Sequence, residues 1–110
     1  MEMKMCDAAK LRALNDAFRQ SLTGGRVLVT PGVLALPDLP RIMRRVRSFA
    51  EFSDGNDPYK ERDFGAFSEA GEQIFWKIDA YDADLNFGSP DPCDPAVTVR
   101  VLTILLASEY

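Results

Sequence analysis

The chain of 110 residues contains no histidine, and this absence excludes more chemistry than any feature present. Without an imidazole there is no Ser-His-Asp triad, no Cys–His dyad and no His-ligated zinc. A hydrolase built from this sequence depends on carboxylates, lysine, tyrosine or a carboxylate-bound metal. Cysteine is nearly as scarce: Cys6 and Cys93 stand 87 positions apart and form no metal-ligand spacing. Two free thiols in a reducing cytosol are the expected state; a disulfide requires the fold to bring the N-terminal segment against a late loop. Long apolar runs are missing too. The longest nearly apolar stretch, Val101 to Ala107, includes Thr103 and falls far short of the ~20 residues that span a bilayer. Met1 to Lys10 carries Glu2 and Asp7 around no apolar centre, so no signal peptide is expected and the cytoplasm is the expected location.

What remains has the composition of a globular protein, 46% apolar and 27% charged, at the size of one domain. One domain over residues 1–110 is expected, with 1–6 as a frayed tail. Leu11, Leu14, Phe18 and Leu22 recur at helical spacing and predict a helix over about Asp7 to Leu22, with Lys10, Arg12, Asp16 and Arg19 mostly on its other faces. Thr23-Gly24-Gly25 ends it. Arg26 to Thr30 reads as a strand, Pro31-Gly32 turns the chain, and Val33 to Leu36 continues as a short extended piece. Asp38 caps a second helix that tolerates Pro40 in its first turn and buries Leu39, Ile42, Met43, Val46 and Phe49.

Phe64 to Glu69 and Glu72 to Asp82 read as strands joined at Ala70-Gly71. In the second, Ile74, Trp76, Ile78 and Ala80 share one face, which makes Trp76 a core residue. Asp94-Pro95 is a helix start, and a final helix to about Ser108 is expected, although Val97 to Val101 alternates and leaves a strand open. The fold class is α+β: a small, mostly antiparallel sheet of three to five strands packed against about three helices.

Charge is unevenly spread. Glu51 to Asp94 holds twelve acidic residues and three basic ones, against five and ten in the remainder, for a net charge of -4. On the second helix Arg41, Arg44 and Arg45 line one surface: a solvated face neutralised by the acidic loops, or a dock for phosphate or an acidic partner. The acidic loops are solvating surface, a patch for a basic groove as in DNA-mimicking inhibitors, or a divalent-metal site, for which Asp57, Glu61, Asp63, Asp82, Asp84 and Asp91 offer hard oxygens. Tyr59 and Tyr81 suit a pocket or an interface.

Specific catalytic patterns fail. Asp82-Ala83-Asp84 has no later glutamate to complete a calcium loop, Gly24-Gly25-Arg26 lacks the Lys-Ser/Thr of a phosphate loop, and Phe75 stands where a metal nuclease needs an acid before Lys77. Asp63-Phe64-Gly65 matches a kinase triplet, but nothing else of a kinase is present. A carboxylate pair for glycoside hydrolysis is defined by spatial separation and is not readable here.

The blocks Asn56-Asp57-Pro58-Tyr59, Asp63-Phe64-Gly65, Phe75-Trp76-Lys77-Ile78-Asp79 and Tyr81-Asp82 resemble a bacterial family catalogued as domain of unknown function 3768. Gly25-Arg26-Val27, Asp91-Pro92, Asp94-Pro95 and Arg100 to Ile104 extend the resemblance from Leu14 to Tyr110. It implies an alphaproteobacterial protein often found among mobile-element genes, with no established activity. The family often shows a histidine before Asp-Phe-Gly where this chain has Arg62, which points further from catalysis.

The expected function is therefore a non-enzymatic accessory protein that binds another macromolecule, in its most concrete form an anti-CRISPR or anti-restriction inhibitor of a host nuclease or defence complex. Its expected binding residues are Arg41, Arg44, Arg45, Asp57, Tyr59, Asp63, Tyr81 and Asp82, with no catalytic residue, no cofactor and no membrane partner. The alternatives are a metal-dependent hydrolase or nuclease using Asp57, Glu61, Asp63 and Asp82, and nucleic-acid binding through the second-helix arginines.

Overall fold

The computed structural model describes residues 6–110, so the tail expected over 1–6 lies, apart from Cys6, outside the described residues. The first helix, α1 (Ala8–Ser21), begins where Asp7 accepts a hydrogen bond from the Lys10 N–H, and ends at Leu22, which takes a left-handed conformation at φ 58°. Strand β1 (Arg26–Val29) follows. The extended piece expected at Val33 to Leu36 is instead a short helix, α2 (Pro31–Leu34). Its start is held from the far end of the chain, because Glu109 accepts hydrogen bonds from the Thr30 hydroxyl and the Gly32 N–H. The helix read as the second is thus α3 (Leu39–Arg47), capped by Asp38 as its sequence predicts.

Strands β2 (Phe64–Glu69) and β3 (Glu72–Tyr81) form a hairpin whose two turn residues, Ala70 and Gly71, both have positive φ, matching the twist of the flanking strands. The final helix does not form. Asp94 caps only a single 3-10 turn, Pro95–Val97, and the chain then enters β4 (Val99–Leu106). Sheet order is β1-β4-β3-β2, with β1 parallel to β4 and the other pairings antiparallel. The architecture is the expected α+β fold with a mostly antiparallel sheet. Strand β4 lies inside the sheet, and Val101, Leu102, Ile104 and Leu105 are all at most 6% exposed. Burial on both faces removes the polar positions that mark a half-exposed strand, which explains why this run also reads as a helix.

The helices cover one face of the sheet. Ile74, Trp76 and Ile78 of β3 and Leu102 and Ile104 of β4 join Phe18, Val33, Ile42 and Val46 from the three helices in one core. Trp76 is fully buried against Phe49 and Phe52, whose ring centroids lie 5.5 and 6.1 Å away. Its indole lies across Gly65, its register partner on β2, where any Cβ would collide with the ring. No described helix is long and apolar enough to cross a membrane.

Candidate functional site

The segment between α3 and β2 is built as a polar knot against α1. Asp57 is buried, and its Oδ1 accepts the N–H groups of Glu61 and Arg62 at 3.1 and 3.0 Å. Those bonds hold a loop in which Lys60 and Arg62 both carry positive φ. Helix α1 grips the same loop: Arg12 donates to the Lys60 carbonyl, Asn15 to the Glu61 carbonyl, and Asp16 pairs with Arg62 at 2.8 Å. Arg62 also lies over the Phe52 ring, 5.0 Å from its centroid.

The knot reverses one part of the helical wheel expected for α1. Arg19 does not face solvent; it is buried with Asn15 and Phe18. Its guanidinium donates to the Val46 and Arg47 carbonyls at the end of α3 and to Asp16. Asn15 in turn accepts from the buried Arg100 at 3.0 Å, and Arg100 also donates to the Pro92 carbonyl. Burial lowers the pKa of Arg100. The sequence signal for this seam was slight: Asn15 and Arg19 form an i,i+4 row beside the apolar stripe.

Glu61, Asp63 and Asp79 border a cleft with Leu11, Asn15 and Ile78. Burial raises the Glu61 pKa, with further increases from Asp63 and Asp57. Burial also raises Asp63, reinforced by Asp57 and Asp79 against the lowering effect of a backbone hydrogen bond. Both groups keep their proton to a higher pH in the folded chain than in the unfolded one. Their contribution to stability is therefore fully present below the ordinary carboxylate range and is lost as pH rises through the raised values. Glu61→Gln is expected to stabilise the protein near neutral pH, by at most about 1 kcal/mol given solvent screening of a pair that is only partly buried. Urea midpoints should separate variant from wild type at about pH 7.5 and converge at about pH 4.

Of the four carboxylates considered for a metal, Asp57, Glu61 and Asp63 are near enough to raise one another's pKa, Asp82 stands apart, and among the described residues they form no set of three whose oxygens all lie within 4.8 Å of one another. Asp57 organises its loop, Glu61 and Asp63 face the cleft, and Asp82 lies in another turn, accepting from the Asn86 N–H. The three arginines also divide. Arg41 and Arg45 clamp Glu69 at the β2–β3 hairpin, at 2.8 and 2.9 Å, and Arg45 covers Phe67. Arg44 instead borders a depression with Gln20, Arg47 and Ser48. Of the tyrosines, Tyr59 is highly exposed, whereas Tyr81 lies half-buried on β3 opposite Val99.

The described helices leave the other sheet face open, the one that carries Phe75 and Lys77. Phe64, Phe75 and Tyr110 form a continuous aromatic row there, with centroids 5.1 and 5.9 Å apart. Beside the row, Lys77 pairs with Asp79 at 3.0 Å, and this hydrogen bond raises the Lys77 pKa. Leu28 on β1 and Tyr110 at the C-terminus are 54% and 79% exposed.

The family model described as protein of unknown function DUF3768 matches residues 29–109. The chain belongs to that family. No curated protein and no solved structure matches it. The DUF3768 match begins at Val29, so α1 and the Gly25-Arg26-Val27 block lie outside it. Within it, two of the blocks that carry the resemblance have structural roles: Asp57 ties a loop and Gly65 seats Trp76. Arg62, which precedes the Asp63-Phe64-Gly65 block, is an anchor to α1.

Proposed function

We propose that this DUF3768 protein is a non-enzymatic binding protein that docks another protein on the helix-free face of its sheet. The observation that carries the reading is the aromatic row Phe64–Phe75–Tyr110, flanked by exposed Leu28 on a surface that no described helix covers. Aromatic rings concentrate binding energy when a partner excludes water from them. The partner chemistry that fits is an apolar patch with a basic rim, because the segment from Glu51 to Asp94 is strongly acidic. Nucleic acid fits less well. A stacking platform needs a positive groove, and here Lys77 is paired with Asp79 while Arg41 and Arg45 are paired with Glu69.

The concrete form of the proposal is an inhibitor of a host defence nuclease, carried by a mobile element of a bacterial, mainly alphaproteobacterial, genome; it rests on the family resemblance and the acidic surface. A cytoplasmic site of action belongs to the same proposal. The test is retention of proteins from bacterial lysate at low salt by immobilised wild type, Leu28→Glu/Tyr110→Glu and Arg44→Glu. A nuclease or effector subunit should be retained by wild type and Arg44→Glu, and reduced at least about tenfold by the double variant. Recovery of no such subunit, or equal retention by the double variant, overturns the proposal.

A further inference from the structure

Cys6 and Cys93 form a disulfide, contrary to the free thiols expected from their spacing, with Cα atoms 5.3 Å apart. The separation in sequence hid a contact that folding makes: the start of α1 packs on the turn before β4. Asp91 belongs to the same place. Ligating atoms of Cys6, Asp91 and Cys93 all lie within 4.8 Å of one another, the one such group of cysteines and carboxylates found among the described residues.

We propose that reduction converts this bridge into a site for a thiophilic divalent metal ion, held by the two cysteine thiolates and the Asp91 carboxylate. The chemistry suits zinc or cadmium, which accept sulfur together with carboxylate oxygen and leave a fourth position to water. In the first step a dithiol reductant gives two electrons and two protons to the S–S bond and leaves as its own disulfide. In the second, the metal displaces both thiol protons and the thiolates bind it, so affinity falls as pH drops.

Two of the ligands are positioned without help from the bridge. The Asp91 N–H donates to Ser89 Oγ, Thr98 Oγ1 donates to the Asp91 carbonyl, and the Asp94 N–H donates to that carbonyl as well. Asp91 Oδ1 accepts the Cys93 N–H at 3.1 Å, which holds the carboxylate beside the sulfur and uses one of its two oxygens. Cys6 directly precedes the helix cap Asp7, whose carbonyl lies 4.0 Å from Cys93 Sγ. Disulfide and metal are then alternative closures of one ring, selected by redox conditions.

The test uses the full chain after treatment with a phosphine or dithiol reductant and its removal under anaerobic conditions. Titrated with cadmium, reduced wild type should show thiolate charge-transfer absorption saturating at one ion per chain, and zinc should raise its thermal midpoint. The oxidised protein should do neither. Asp91→Asn keeps an oxygen for the Cys93 N–H and both thiols, and is expected to bind at least about tenfold more weakly. Cys93→Ser should lose both signals. Absence of the absorption in reduced wild type overturns the proposal, as does equal affinity in Asp91→Asn. A zinc response that survives in Cys93→Ser, or cadmium binding with no rise in midpoint, shows metal held elsewhere or by the unfolded chain, and also overturns it.

Discussion

Arg19→Met is expected to lower the unfolding free energy by about 3–5 kcal/mol, the usual result of removing one member of a buried charged network. The side chain is 1% exposed, so methionine occupies similar space and the loss reports on polar contacts rather than volume. Those contacts join three parts of the chain. Nη1 donates to the Val46 and Arg47 carbonyls at 2.9 and 3.1 Å, adding a charged donor at the end of α3, where Val46 otherwise accepts the Phe49 N–H at 3.3 Å. Nη2 donates to Asp16, which also receives Arg62 from the polar knot. The guanidinium lies 5.0 Å from the Trp76 ring centroid and 5.5 Å from that of Phe52, adding cation–π attraction in a dry setting. Arg19→Lys should recover only part of the loss, because a single ammonium does not reproduce a planar fork aimed at two elements. Urea unfolding followed by fluorescence of Trp76, the chain's single tryptophan, measures both variants. A loss under about 1 kcal/mol, the scale of an ordinary surface change, would show that the seam does not hold α1 to α3.

Reducing the Cys6–Cys93 bridge in metal-free buffer is expected to cost about 4–5 kcal/mol. The effect lies mainly in the unfolded chain. A crosslink spanning 87 positions removes a large share of its conformations, and the chain-entropy model places such a ring close to its upper values. Folded-state strain offers little offset, since the turn carrying Cys93 is already shaped by Ser89, Thr98 and the Asp91 side chain. The Cys6→Ser/Cys93→Ser double variant should match reduced wild type and be indifferent to reductant. Denaturation curves with and without reductant decide it; coincident curves would mean that the ring is not closed in the folded protein. Metal should restore part of the loss to reduced wild type and none to the double variant, which ties this measurement to the proposed site.

How much of this was readable in advance follows the range of the interactions. Asp7 and Asp38 announce α1 and α3 because each caps a backbone N–H three residues ahead. Ala70-Gly71 announces the hairpin because its geometry is set within two residues. Trp76 is assigned to the core by alternation in a strand with one covered face. Asp57 and Arg41 were singled out for their charge, yet their partners are a backbone loop and Glu69, so charge pattern alone did not tell binding groups from structural ones.

By itself the sequence determined what short-range physics decides: helix caps, the tight turn, the faces of β3, the absence of imidazole chemistry and the α+β class. Tertiary structure alone decided the rest. It made β4 an inner strand, where burial on both faces erases the period that separates strand from helix. It made α2 a helix capped by Glu109, 77 residues away from Gly32. It turned Arg19 inward, where carbonyls 27 and 28 residues away accept its guanidinium. It also brought Cys6 onto Cys93 beside Asp91. In each case the deciding partner is remote in sequence, and only closure of the chain makes its contribution available to the local segment.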